Sequence, residues 1–199
     1  MESSALFIVS PHFDDAAFSC GMLLAAHPGS TVCTVFGGAP AVPMSTSWDR
    51  SSGFLRSDEA VRARRLEDRR ALALLDARGL HLDFRDAQYQ TPLTPQSVEA
   101  MRDALVEAWK SCGCPSVIAP LGLYHSDHVV VSDVCCAIFS RGDIPELFLY
   151  EDALYRRIRH VSRERRETLA QRGLRLDPDA EGRLLGARRS TRAATQKWR

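Results

Sequence analysis

Apolar residues gather in short runs separated by longer stretches of mixed polarity. Residues 5–9 (Ala5-Leu6-Phe7-Ile8-Val9), 30–36, 80–84, 116–120 and 146–150 have the length of strands. Continuous runs such as 5–9 suit strands buried on both faces. The stretches between them read as helices. Residues 14–26 are small and apolar and stop at His27-Pro28-Gly29. Residues 56–75 form a long charged helix with Val61, Leu66, Leu72 and Leu75 among its apolar positions. Residues 95–112 are amphipathic, using Val98, Met101, Leu105 and Trp109, and 127–140 are apolar enough for a buried helix. Residues 39–55 are rich in Pro, Ser and Gly and have no period. A loop of that length inside a compact domain is more often functional than a plain connection.

Strand and helix alternate along the chain. That order predicts an α/β fold: a Rossmann-like three-layer sandwich with a mostly parallel sheet flanked by helices. In such sheets ligands bind beyond the carboxyl ends of the strands. The Gly-rich dinucleotide fingerprint is missing there, because residues 5–9 are followed by Ser10-Pro11-His12-Phe13-Asp14-Asp15.

Composition narrows the function classes. A net charge of +1 argues against a general nucleic-acid binder. No apolar run approaches the roughly 20 residues that span a bilayer. Glu2, with no Lys or Arg ahead of the first apolar run, is unlike a secretory signal, so a cytoplasmic location is expected. The six cysteines are then expected as free, mostly buried thiols. Residues 151–199 carry 14 Lys/Arg against 7 Asp/Glu, a basic tail on a chain that is otherwise acidic.

Two His/Asp clusters fall just past strands: His12-Phe13-Asp14-Asp15, and Tyr124-His125-Ser126-Asp127-His128 after 116–120. Asp86 follows the third strand. Any one of these carboxylates alone reads as a helix cap. Together they suit a metal site in which His12, Asp15 and His128 supply two imidazoles and a carboxylate and leave a position for water. Asp14, pointing elsewhere, is free to act as general base. His125, three residues from His128, can donate to a developing oxyanion, and Asp127 can orient an imidazole. The first cluster alone also allows magnesium and phosphoryl transfer, whereas the two further histidines favour zinc, with Fe2+ as the alternative ion.

The motifs resemble those of the PIG-L/LmbE-like deacetylases. Pro11-His12-Phe13-Asp14-Asp15 is similar to the family's Pro-His-x-Asp-Asp, and His125-Ser126-Asp127-His128 to its His-x-Asp-His. Arg64-Arg65-Leu66-Glu67, Asp86 and Glu151-Asp152-Ala153-Leu154-Tyr155 resemble weaker features in the same order. The resemblance covers residues 5 to about 155. It implies a catalytic domain over 1–155 and a basic C-terminal extension over 156–199, packed on or trailing from the same domain. It further implies a zinc-dependent N-deacetylase acting on an N-acetylglucosamine-type sugar or sugar conjugate. The alternative is an amidase acting on a non-sugar amide such as a natural-product intermediate or a thiol conjugate. By resemblance His12, Asp15 and His128 are the metal ligands and Asp14 the base. His125 is the transition-state stabiliser held by Asp127, and Arg64 and Asp86 touch sugar hydroxyls. Phe13 stands where proline is commoner. Trp48, Asp49 and Phe54 in the 39–55 loop are candidates for contact with a sugar or aglycone. The expected partner is a small N-acetylated molecule, and a homo-oligomer is compatible with the reading.

Overall fold

The computed structural model describes residues 4–90, 92–174 and 176. Five strands, Phe7–Ser10 (β1), Thr31–Thr34 (β2), Arg78–His81 (β3), Val117–Pro120 (β4) and Leu147–Tyr150 (β5), pair in the order β3-β2-β1-β4-β5. Every neighbouring pair is parallel, with Ile8 of β1 between Val32 of β2 and Ile118 of β4. The helices are Asp15–Ala26 (α1), Ser47–Ser51 (α2), Ser57–Leu74 (α3), Pro95–Cys112 (α4), Ser126–Ser140 (α5) and Val161–Gln171 (α6). A 3-10 turn covers Ala87–Tyr89. The α/β sandwich expected from the alternating pattern is therefore the observed architecture.

All four residues of β1, β2 and β4 are buried, which suits the apolar runs of β1 and β4, while β2 buries Thr31 and Thr34 beside Val32 and Cys33. Phe7, Val9, Cys33, Val117 and Ala119 pack on Met101, Leu105 and Ala108 of α4 and on Val131, Val134 and Ile138 of α5. Ile8 alternates with Phe7 and Val9 and so points to the opposite face. α1 and α3 pack together and contribute the fully buried Leu24 and Leu72. Each such burial contributes about 1.5–3 kcal/mol.

Helix α4 has the bounds that the sequence predicts because its ends are chemically marked. Thr94 accepts a hydrogen bond from the Ser97 amide, Pro95 takes the first helical position, and Gly113 ends the helix at φ 65°. β3 starts two residues before the predicted run. It is the edge strand beside β2, and its first two residues, Arg78 and Gly79, are exposed. Leu66, expected among the apolar positions of α3, is 49% exposed. The 39–55 stretch contains a short helix, α2, capped by the Thr46 hydroxyl on the Asp49 amide. The six cysteines are free and five of them are buried.

Among the described residues, those from Ser4 to Arg165 form one compact unit and a second begins at Arg166. Much of the basic extension, residues 177–199 together with Arg175, lies outside the described residues.

The strand order reverses between β1 and β4. From β1 the chain moves outward to β2 and β3, then returns to the other side for β4 and β5. Connections leaving the carboxyl ends of β1 and β4 diverge, which opens a crevice between them. His12 follows β1 and His125 follows β4, so the order of strands alone brings two distant segments together.

Candidate metal centre

Local hydrogen bonds fix the segment after β1. Ser10 Oγ donates to the His12 carbonyl at 2.6 Å and accepts from the Ala16 amide at 3.0 Å. The His12 amide donates to Asp15 Oδ2 at 2.8 Å. Phe13 is buried with Val61 and Tyr89 and lies edge-on to His81. The segment thus sends Phe13 into the core, His12 and the buried Asp15 toward the crevice, and Asp14 to solvent. A phenylalanine at position 13 serves here as an apolar anchor.

The segment after β4 is held as tightly. Gly122 has φ 84°, and a Cβ there would lie 2.6 Å from Ser132 Cβ, so only glycine fits the turn. Tyr124 also adopts a left-handed conformation, φ 62°, immediately before His125. A non-glycine residue persists there only when its surroundings hold it. His125 caps α5 by accepting the Asp127 amide on Nδ1 at 3.2 Å. His128 lies in the first turn of α5 and is 1% exposed.

These two segments bring three donor atoms together. Asp15 Oδ2 is 3.2 Å from His12 Nδ1 and 3.2 Å from His128 Nε2. One ligand atom from each of the three residues lies within 4.8 Å of the others. Two imidazole nitrogens and one carboxylate oxygen suit a divalent transition ion, unlike the all-oxygen sets that hold calcium or magnesium.

The outer nitrogen of each imidazole is held by a second carboxylate. Asp127 Oδ2 is 3.1 Å from His12 Nε2 and also accepts the Ala87 amide. Asp152 Oδ1 is 2.6 Å from His128 Nδ1, and its Oδ2 accepts the amides of Gly122 and Leu123 at 3.1 and 3.0 Å. Such outer partners fix ring orientation and tautomer. The Asp127 carboxylate therefore meets His12, while His125 is held by the Asp127 amide. Asp152 is not among the candidate site residues that the sequence marks. Its only signal was membership of the 151–155 stretch.

Electrostatics follow from this crowding. Burial pulls the His12 pKa down, but hydrogen bonds to Asp127 and Asp15 outweigh it and raise the group to about 10. His128, between Asp15 and Asp152, rises to about 9 against the same opposing burial. Asp15 resists burial and is held well below the usual carboxylate range by its two histidines. Asp14 is raised, first by partial desolvation and then by the adjacent Asp15 charge, although its side chain reaches solvent. His125 is lowered by desolvation and by the neighbouring His12.

Asp86 stands at the rim, with Oδ2 3.8 Å from His12 Nε2 and its carboxylate accepting from the Gln88 amide and side chain. Arg64 is engaged elsewhere, donating to Asp49 Oδ1 at 3.2 Å. Asp49 is fully buried and also takes the Tyr89 hydroxyl at 2.7 Å. This ion pair ties α2, and with it the 39–55 stretch, to α3. Asp49 thus points inward, whereas Trp48 is 63% exposed. Tyr155 adds an aromatic wall, stacked on His125 and edge-on to His128. Arg165 donates from Nε to the Leu121 carbonyl at 2.9 Å and pairs with Asp133, bracing the turn that carries His125.

A parallel α/β sheet with two imidazoles and a carboxylate gathered at its switch point has the donor set of a metal site. Residues 7–139 match the family model for PIG-L, GlcNAc-PI de-N-acetylase, and the chain belongs to that family. It is 35% identical over 159 residues to 2'-N-acetylparomamine deacetylase of Streptomyces fradiae, which covers 74% of this chain and 56% of that protein. Its structure is similar to that of the A40926 pseudoaglycone deacetylase Dbv21, with TM-score 0.63, 31% identity, and coverage of 74% of this chain and 64% of that one. It is also similar to the zinc inhibited form of teicoplanin deacetylase Orf2, with TM-score 0.64, 26% identity, and coverage of 74% and 68%. The chain thus spans a little over half the length of the Streptomyces relative and about two thirds of the solved ones. No helix among the described residues is long and apolar enough to cross a membrane.

Proposed function

We propose that this chain is a zinc-dependent N-deacetylase that hydrolyses the acetamide of an amino-sugar conjugate, with Fe2+ as the alternative native ion. The observation that carries the reading is the gathering of one ligand atom each from His12, Asp15 and His128 within 4.8 Å of one another, next in the chain to Asp14. The relatives named as deacetylases of 2'-N-acetylparomamine, of the A40926 pseudoaglycone and of teicoplanin support an amino-sugar amide as substrate. The relative described as zinc inhibited supports zinc as an ion that this kind of site meets. A cytoplasmic setting and a small-molecule substrate belong to the same proposal.

His12, Asp15 and His128 would hold the ion. When bound, it supplies Lewis acidity that lowers the pKa of water from about 15.7 toward about 7 and polarises a carbonyl. Asp14, raised above an ordinary carboxylate yet open to solvent, takes a proton from the attacking water and delivers it to the departing amine nitrogen. His125 donates to the oxyanion as the acyl carbon becomes tetrahedral. Asp127 and Asp152 keep the two ligand rings turned toward Asp15. Asp86 at the rim accepts hydrogen bonds from sugar hydroxyls, and Arg64 donates to them from within its pairing with Asp49. Residues 1–155 carry the chemistry in this proposal.

The test is acetate release from a panel of N-acetylated aminoglycosides and amino-sugar conjugates. Turnover is expected to stop with a chelator and return with zinc. Turnover only on non-sugar amides would move the substrate class to the alternative. No amide hydrolysis at all by the zinc-loaded chain would overturn the reading.

A further inference from the structure

Asp49 belongs to the 39–55 stretch, yet its side chain is fully buried. A carboxylate taken from water needs charged or hydrogen-bonding partners. Asp49 draws two from different parts of the fold. Arg64 of α3 donates from Nη2 to Oδ1 at 3.2 Å. The Tyr89 hydroxyl donates to the same carboxylate, 2.7 Å from Oδ1 and 2.9 Å from Oδ2. The Tyr89 ring packs with Phe13 and Val61. Phe13 stands between His12 and Asp14 in the chain, so Asp49 is tied to the segment that carries candidate metal ligands.

This pairing uses only part of Arg64. A guanidinium has five N–H donors. One goes to Asp49, and no other acceptor among the described residues takes the remainder. The Arg64 side chain is 23% exposed. Its charge acts on the carboxyl of Asp14. One edge of the fork is thus anchored in the interior, while the cation stays open beside the proposed base.

The same short helix also steadies an acceptor at the rim. Thr46, which caps α2, donates from Oγ1 to Gln88 Oε1 at 2.8 Å. That bond leaves the Gln88 side-chain nitrogen to donate to Asp86 Oδ2 at 3.1 Å. Asp86 in turn stands 3.8 Å from His12 Nε2.

We propose that Asp49 is a positioning residue for substrate recognition. It holds Arg64 so that the unused N–H groups donate to a hydroxyl of the bound amino sugar, while Thr46, through Gln88, sets Asp86 to accept from another. Helix α2 thereby builds a donor and an acceptor for vicinal hydroxyls without Asp49 touching the sugar. The proposal rests on the amino-sugar part of the deacetylase reading.

Methyl glucosaminide, the amine that deacetylation would leave, keeps the sugar hydroxyls and cannot be turned over. NMR titration of the zinc-loaded full chain with it and with its monodeoxy analogues tests the proposal. Loss of one hydroxyl should weaken binding to the parent chain by about tenfold, as for a hydrogen bond to a charged group. Asp49→Asn should bind the complete sugar about tenfold more weakly and no longer discriminate against that analogue. Arg64→Met added to Asp49→Asn should cost little more. Tyr89→Phe, which keeps the ring on Phe13, should show the same pattern at smaller size, and cooperative urea unfolding reports which variants are folded. In acetate release from the matching N-acetyl sugar, KM should rise in Asp49→Asn by more than kcat falls. A parent chain indifferent to every hydroxyl would overturn the proposal. So would folded variants that weaken the sugar and all its analogues equally, as a plain loop staple would. Hydroxyl-dependent binding that requires Asp49, in a chain that releases no acetate, would defeat the deacetylase reading and leave this inference standing.

Discussion

Asp152 Oδ1 lies 2.6 Å from Nδ1 of His128, while the other oxygen of the same carboxylate takes two backbone amides from the turn after β4. One side chain from beyond β5 thereby aims a candidate ligand and closes the loop that carries it. An amide cannot do both, because its NH2 would face the Gly122 and Leu123 N–H groups or the His128 donor. Asp152→Asn is expected to weaken zinc binding about 10- to 100-fold. Chelator competition on the folded variant measures this, and Asp152→Glu should recover part of the loss.

Arg165 reaches the same turn from α6, through the Leu121 carbonyl and Asp133. Removing the guanidinium takes one of two hydrogen bonds from the Leu121 carbonyl, which keeps the Ser132 hydroxyl, and a charged partner from Asp133. Arg165→Met should cost about 1–3 kcal/mol of stability. Urea unfolding reads that directly, and a value near zero would show that the turn is held without it.

Much of this arrangement is legible in the sequence, and the remainder fails for identifiable reasons. β1, β4 and α4 are marked by unbroken apolar runs or by caps. β3 is blurred because an edge strand tolerates Arg78 and Gly79. α2 is a five-residue helix in a loop of Pro and Ser, and the charge-rich α6 carries too little apolar signal to stand out. The two His/Asp clusters are visible because each is contiguous. Their outer partners are not, because those contacts are long-range: the Asp127 carboxylate passes over His125, two residues before it, for His12, 115 residues away, and Asp152 reaches back 24 residues to His128. Asp49 reads as a loop carboxylate until its burial against Arg64 and Tyr89 is seen.

Metal uptake should depend on pH with a definite sign. In the metal-free chain His12 and His128 have pKa values raised to about 10 and about 9, above the ordinary 6.5. Protonated imidazoles on carboxylates therefore stabilise the metal-free fold fully below about pH 6.5, and that contribution fades as pH rises through 9 and 10. Zinc needs both rings unprotonated, so binding releases protons and tightens as pH rises from 7 toward 9. Titration in buffers of different ionisation enthalpy counts the protons. Uptake independent of buffer and pH would contradict these protonation states.

Asp14 is exposed, lies outside the trio of converging donors and carries a raised pKa. Asp14→Asn should lower kcat by about 10²–10⁴-fold while leaving zinc content at one per chain. Full turnover in this variant would remove Asp14 from the role of base.

Anomalous diffraction at the zinc edge, from crystals of the full chain grown with one equivalent of zinc, tests the convergence most directly. One peak is expected about 2.0–2.2 Å from His12 Nδ1, Asp15 Oδ2 and His128 Nε2 together. A peak elsewhere, or imidazoles of His12 and His128 that do not share it, would contradict the account.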